Sequence, residues 1–286
     1  MAKLFGFVQF DFAGRLPLAD GRYLTDGEET VIVLKATEAP VARRRRRRRP
    51  RSGFDESKPV PVALTRVTVI RASSPLPDPA EAARWLDEVC EAEDTIEVLV
   101  EEAIAPLNRA LHAHAVVAAD PRGRELAPEQ AERVLIGYGS GEETADGRFS
   151  DAREVDLAPR ASSRRHRDEE LQPQERVAGV LRGRERLDAC ETLLLRARAD
   201  LDAGREREAA LQLRIGLEAL LVELEGAVDD PGHAKDMGAL RGRQARAVSA
   251  ATAAVKGDLS EEQRSQIEEL LALSERVLRR RRVLRG

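Results

Sequence analysis

Residues 186–225 constrain the fold of this chain more than any other segment. Leu187, Cys190, Leu194, Ala197 and Leu201 recur at three- and four-residue spacing, and Ala210, Leu213, Leu217, Leu220 and Leu224 repeat the pattern. Side chains so spaced share one face of an α-helix. Between the stripes stands Gly204, a residue that takes the left-handed backbone of a helix stop without steric cost. Two apolar stripes joined there predict an antiparallel helical hairpin. The feature specifies architecture and no chemistry, and no catalytic or cofactor signature of similar regularity occurs elsewhere.

The remainder of the C-terminal half also reads as helix. Pro173 opens a short helix that ends at Gly183, and Pro231 opens another that stops at Gly257. Ser260, with Gln263 three residues on, forms a capping box for a last helix that buries Ile267, Leu270, Leu271 and Val277.

The N-terminal half alternates differently. In residues 3–12, Leu4, Val8, Phe10 and Phe12 fall on one face of a strand. The other face begins with Phe5 and Phe7 and ends polar with Gln9 and Asp11. A strand apolar on both faces at one end is covered there on both sides. Asp20-Gly21 and Asp26-Gly27 mark turns. Residues 30–37 and 62–71 are strands by their β-branched content. Asp78 caps a helix with Pro79 in its first turn, its buried face formed by Trp85, Leu86, Val89 and Cys90. Asp94 or Thr95 caps the next, which carries Ile96, Leu99, Val100, Ala103, Ile104, Leu107 and Leu111 on one face and is kinked at Pro106. Residues 134–139 form a strand that 153–157 pairs with.

The resulting expectation is an α+β chain. A small mixed N-terminal sheet of three to five strands carries two helices, and an all-α C-terminal bundle of about five helices follows. The boundaries are 1–158 for the α/β domain, with a disordered arginine-rich loop at 38–60, then a linker at 159–170 and a helical domain at 171–286.

Composition matters through its asymmetry. Residues 1–158 hold 22 basic and 28 acidic side chains, whereas 159–286 hold 25 and 23. Eight of the first 22 are Arg43, Arg44, Arg45, Arg46, Arg47, Arg48, Arg49 and Arg51. Without them the N-terminal part is strongly acidic, 14 basic against 28. The tract is the one candidate nucleic-acid-binding segment, since clustered guanidiniums grip phosphates bidentately and release counterions. Two facts oppose that reading: the surrounding domain repels polyanions, and no aromatic side chains interleave for base stacking. The alternatives are a solvated loop and a loop docked on Glu91, Glu93, Asp94, Glu97, Glu101 and Glu102. Arginine outnumbers lysine 42 to 5, as GC-rich coding favours.

The hairpin resembles one tetratricopeptide unit. Ala197, Gly204, Ala209 and Leu213 match that family's small-glycine-small-large spacing, and Gly216 stands at the next small position. The resemblance implies close helix approach and, in stacked units, a concave peptide-binding surface. It covers one unit, with no second copy at the ~34-residue period. By composition the whole chain resembles proteins of arginine- and alanine-rich actinobacteria, which implies no activity.

Other motifs are weaker. Gly137, Gly139 and Gly141 follow a strand, as in phosphate-cradling loops, but no helix start or lysine follows them, so a tight turn competes. His112 and His114 point to opposite sides of a helix, and His166 and His233 lie elsewhere, so no metal site is expected. Cys90 and Cys190 read as small buried hydrophobes in a reducing cytoplasm. No signal peptide or membrane-length apolar run is visible.

The sequence therefore favours a cytoplasmic, non-enzymatic adaptor or scaffold that binds another protein through its helical part, with no cofactor and no membrane partner. An RNA- or ribosome-associated protein using Arg43–Arg51 is the alternative. A small-ligand binder or enzyme using loop 137–143 is the third reading.

Overall fold

The computed structural model describes residues 3–25, 29–39, 62–157, 176–227 and 229–285. The arginine tract, the 159–170 linker and Pro173 lie outside the described residues. The chain divides into two compact units, Met1–Arg160 and Ala161–Gly286.

The first unit is built on a six-stranded sheet. Its strands are β1 (Leu4–Ala13), β2 (Gly21–Leu24), β3 (Thr30–Ala39), β4 (Val62–Leu76), β5 (Ala131–Gly139) and β6 (Asp151–Val155). They lie in the order β2-β3-β4-β1-β5-β6, and every neighbouring pair is antiparallel. The sheet is thus larger than the expected three to five strands, and it is antiparallel where a mixed sheet was expected. The phenylalanine-rich β1 is central, flanked by β4 and β5, and buries Val8, Phe10 and Phe12 on one face and Phe7 on the other.

One face is covered by two helices, α1 (Pro79–Glu91) and α2 (Glu93–Val117). Val8, Phe10 and Phe12 pack there with Leu86, Val100, Ile104 and Leu107 in one buried cluster. Asp78 caps α1 by accepting from the Ala80 and Glu81 amides at 2.8 and 2.9 Å. The next helix starts at Glu93, and its N-cap is Ala92, without a side-chain cap; neither Asp94 nor Thr95 fills that place. It runs through Pro106 and buries the expected stripe from Leu99 to Leu111, while Ile96 is half-buried. Trp85 and Cys90, expected on the buried face of α1, are also only half-buried.

The opposite face of β1 is covered by residues 142–149. Phe7 packs against Phe149 in a tilted pair, with ring centroids 5.6 Å apart and the ring planes at 41°. Gln9, buried beside them, donates to the Thr68 hydroxyl at 2.7 Å. Asp11 receives two bonds from Arg66, at 2.8 and 3.0 Å. Lys35 holds Asp146 of the covering 3₁₀ turn (Glu142–Asp146) at 2.5 Å. The polar end of this face is therefore internally satisfied, as buried polar groups must be.

The second unit contains a helical segment at 176–181 and four long helices: α3 (Ala189–Asp202), α4 (Glu206–Glu223), α5 (Pro231–Lys256) and α6 (Glu261–Arg285). Leu194, Leu213, Leu217, Leu220, Leu240, Ile267 and Leu271 form its core. Asp230 caps α5, and Ser260 with Gln263 forms the capping box of α6. Gly183 and Gly204 are both left-handed, with φ of 69° and 72°.

Candidate functional site on the helical hairpin

The hairpin forms as its stripes require. Cys190, Leu194 and Ala197 of α3 face Ala210, Leu213, Leu217 and Leu220 of α4, all buried. Leu187 is an exception: it precedes α3 and is exposed. The small residues mark where the backbones come close. A Cβ at Gly216 would stand 3.1 Å from two carbons of Leu194 and 3.2 Å from the Leu193 Cβ. Ala197 and Ala209 are fully buried.

Charged groups pin both ends of the hairpin. At the turn, Arg205 donates to Asp200 at 2.7 Å, and Gln212 reaches the same carboxylate. At the open end, Glu223 accepts from the Ala189 and Cys190 amides at 3.1 and 3.0 Å. A carboxylate from the end of α4 thus satisfies the orphan amides and positive dipole at the start of α3. Burial opposes ionisation of Glu223, yet its bonds to Cys190 and Ala189 hold the carboxyl below its ordinary value. Glu191 is likewise desolvated, but two bonds from Arg176, at 2.8 and 2.6 Å, keep it ionised and its pKa lowered. Burial, and then Glu223, push the Cys190 thiol up to about 12.

The outward side of α4 is apolar in the middle. Leu211, Ile215 and Val222 are 40%, 49% and 76% exposed. At 100° per residue they fall within about 40° of one another and about 180° from the core stripe. Glu208, Arg214 and Glu218 border them, the last two paired at 3.3 Å. Leu195 of α3 is a further exposed leucine, at 71%.

The other sequence candidates fall elsewhere. Arg43, Arg44, Arg45, Arg46, Arg47, Arg48, Arg49 and Arg51 lie outside the described residues. The glycines of 137–143 have packing roles. A Cβ at Gly137 would meet the Asp151 carbonyl at 2.4 Å, and one at Gly139 would meet Thr144 at 2.5 Å. Gly141, at φ 102°, starts the 3₁₀ turn. These glycines let β6 and the turn close on β5. His112 and His114 lie on α2, and His233 is buried near the start of α5, where neither ring nitrogen has a hydrogen-bond partner among the described residues. Among the described residues no helix is long and apolar enough to cross a membrane. Comparison with protein-family models, with curated proteins and with solved structures found no match.

Proposed function

We propose that the protein is a non-enzymatic adaptor that binds an amphipathic helix of another protein along the outer side of α4. The observation that carries this reading is the exposed stripe of Leu211, Ile215 and Val222. Three aliphatic side chains in line, spanning about 16 Å of helix, are what a second helix needs to seat its own ridge. The bordering Glu208, Arg214 and Glu218 form the polar rim that fixes orientation in such a seat. The likeness of the hairpin to a tetratricopeptide unit supports a peptide-binding role.

The test compares the full chain with an Ile215→Glu, Val222→Glu double variant as baits in cells of the source organism. Both positions face solvent, so the variant keeps its melting midpoint. Named proteins recovered with wild type are lost with the variant and kept with a Leu181→Glu control. Equal recovery by all three baits overturns the reading. Self-association of the purified chain that the double variant abolishes also overturns it, because the occupant is then a second copy.

A further inference from the structure

The N-terminal unit holds a cleft of about 400 Å³ between α1 and a bulge in β4. The bulge arises where the register slips: Phe5 pairs with Pro75, yet Phe7 pairs with Ile70. The extra residues of β4 swing outward and carry Arg71 and Ser74 to the cleft wall. The opposing wall is one face of α1, where Glu81, Arg84, Trp85 and Glu88 follow the i, i+3, i+4, i+7 spacing of a single helical side.

Trp85 is the only tryptophan of the chain. A Cβ at Gly6 would lie 2.7, 3.0 and 3.3 Å from three neighbouring atoms of its six-membered ring. Such nearly equal distances place Gly6 over the ring face instead of beyond its edge. Glycine at that position is what lets the indole lie flat on the sheet and form an apolar wall.

The charges are the informative part. Two cations and two anions line the cleft. Among the described residues, none of Arg71, Arg84, Glu81 and Glu88 makes a side-chain hydrogen bond or an ion pair. Arg84 shares its helical side with both carboxylates, whereas Arg71 stands alone on the far wall. Arg71 also lines a second cavity of about 210 Å³, together with Glu29 and Glu102. Glu81 and Glu88 disfavour a polyanion there, and the balance of two positive and two negative groups disfavours a ligand of one sign.

We infer that the cleft binds a small zwitterion with an apolar body, a free amino acid or short peptide. Its carboxylate meets the Arg71 guanidinium as a charge-assisted donor, its ammonium meets one of the two α1 carboxylates, Glu81 or Glu88, and its apolar part lies on Trp85 and Pro75. This site belongs to the N-terminal unit and is independent of the α4 face.

Trp85 is its own reporter. The full chain is titrated with L-phenylalanine, L-leucine and the dipeptide phenylalanyl-leucine while indole fluorescence is followed. N-acetyl-L-phenylalanine, which lacks the ammonium, and L-phenylalaninamide, which lacks the carboxylate, serve as one-charge probes. The zwitterions give saturable changes, and each one-charge probe binds at least about tenfold more weakly. Arg71→Gln weakens the zwitterions by about tenfold, leaves the amide unchanged, and keeps the melting midpoint because Arg71 has no side-chain partner among the described residues. Adenosine monophosphate or inorganic phosphate binding more tightly than the amino acids overturns the assignment. So does a flat fluorescence response to all three zwitterions at 10-millimolar order, or an Arg71→Gln variant that binds them as wild type does.

Discussion

Replacing Gly204 by valine tests the architecture at its turn. Gly204 adopts φ 72°, and a Cβ added there meets nothing within 4 Å. The cost of a side chain is therefore conformational and carries no packing component. A left-handed L-residue costs about 1–2 kcal/mol, with β-branched residues at the upper end. For a unit of this size each kcal/mol lowers the midpoint by roughly 4 °C. Gly204→Val should thus lower the melting midpoint of the helical unit by about 4–8 °C. Far-UV circular dichroism of the full chain follows this, since the long helices of 189–285 dominate that signal. Gly204→Asn is the decisive companion, because asparagine tolerates the left-handed region and should lose less than half as much. An unchanged midpoint for valine, or equal losses for valine and asparagine, would refute the left-handed stop as the element that sets the turn.

Four further outcomes are expected. Gly137→Ala should lower the stability of the N-terminal unit by about 1–3 kcal/mol, because the new methyl overlaps the Asp151 carbonyl; thermal melts with intrinsic tryptophan emission report it. Glu191 and Glu223 have lowered pKa values in the folded state, so their contribution is present above the ordinary carboxyl range and lost as pH falls through the folded values; Glu191→Gln should flatten the acid limb of a stability-against-pH curve below about pH 4.5. At pH 8 a disulfide reagent should leave Cys190 unmodified in the native protein, its thiol raised to about 12 and fully buried, and should modify it on unfolding. Replacing Arg43–Arg49 by a Gly/Ser linker should leave the melting midpoint in place, and filter binding to RNA should stay equally weak for both proteins at about 150 mM salt; a steep salt dependence that the replacement abolishes would move function to the tract.

The sequence was most legible where one periodicity governs one element. The stripes from Cys190 to Leu224 place both hairpin helices, and Asp78 with Pro79 places the start of α1, because cap and period act within a few residues. What escaped was non-local. β2 (Gly21–Leu24) is a four-residue edge strand that exists through its pairing with β3 and has no apolar alternation of its own. The central place of β1 depends on partners more than fifty residues away. α2 starts at Glu93 behind the N-cap Ala92, which has no capping side chain, so its local signal is limited to the acidic first turn of Glu93 and Asp94. Leu187 fits the stripe spacing, but α3 begins only at Ala189. The Trp85 cleft depends on a slip in the β1–β4 register, which no local pattern announces. Gly137 and Gly139 looked like loop glycines, but they serve close approach between strands.

The most direct measurement of the adaptor reading is site-specific photo-crosslinking in cells. A benzophenone amino acid is placed at 215, at 222 and, as control, at Thr252 on α5, where the side chain is also exposed. Positions 215 and 222 should yield adducts to the same protein, mapped about seven residues, or two turns, apart within one helical segment, and position 252 should not. Adducts that are absent at 215 and 222, or identical from all three positions, would contradict a docking face on α4.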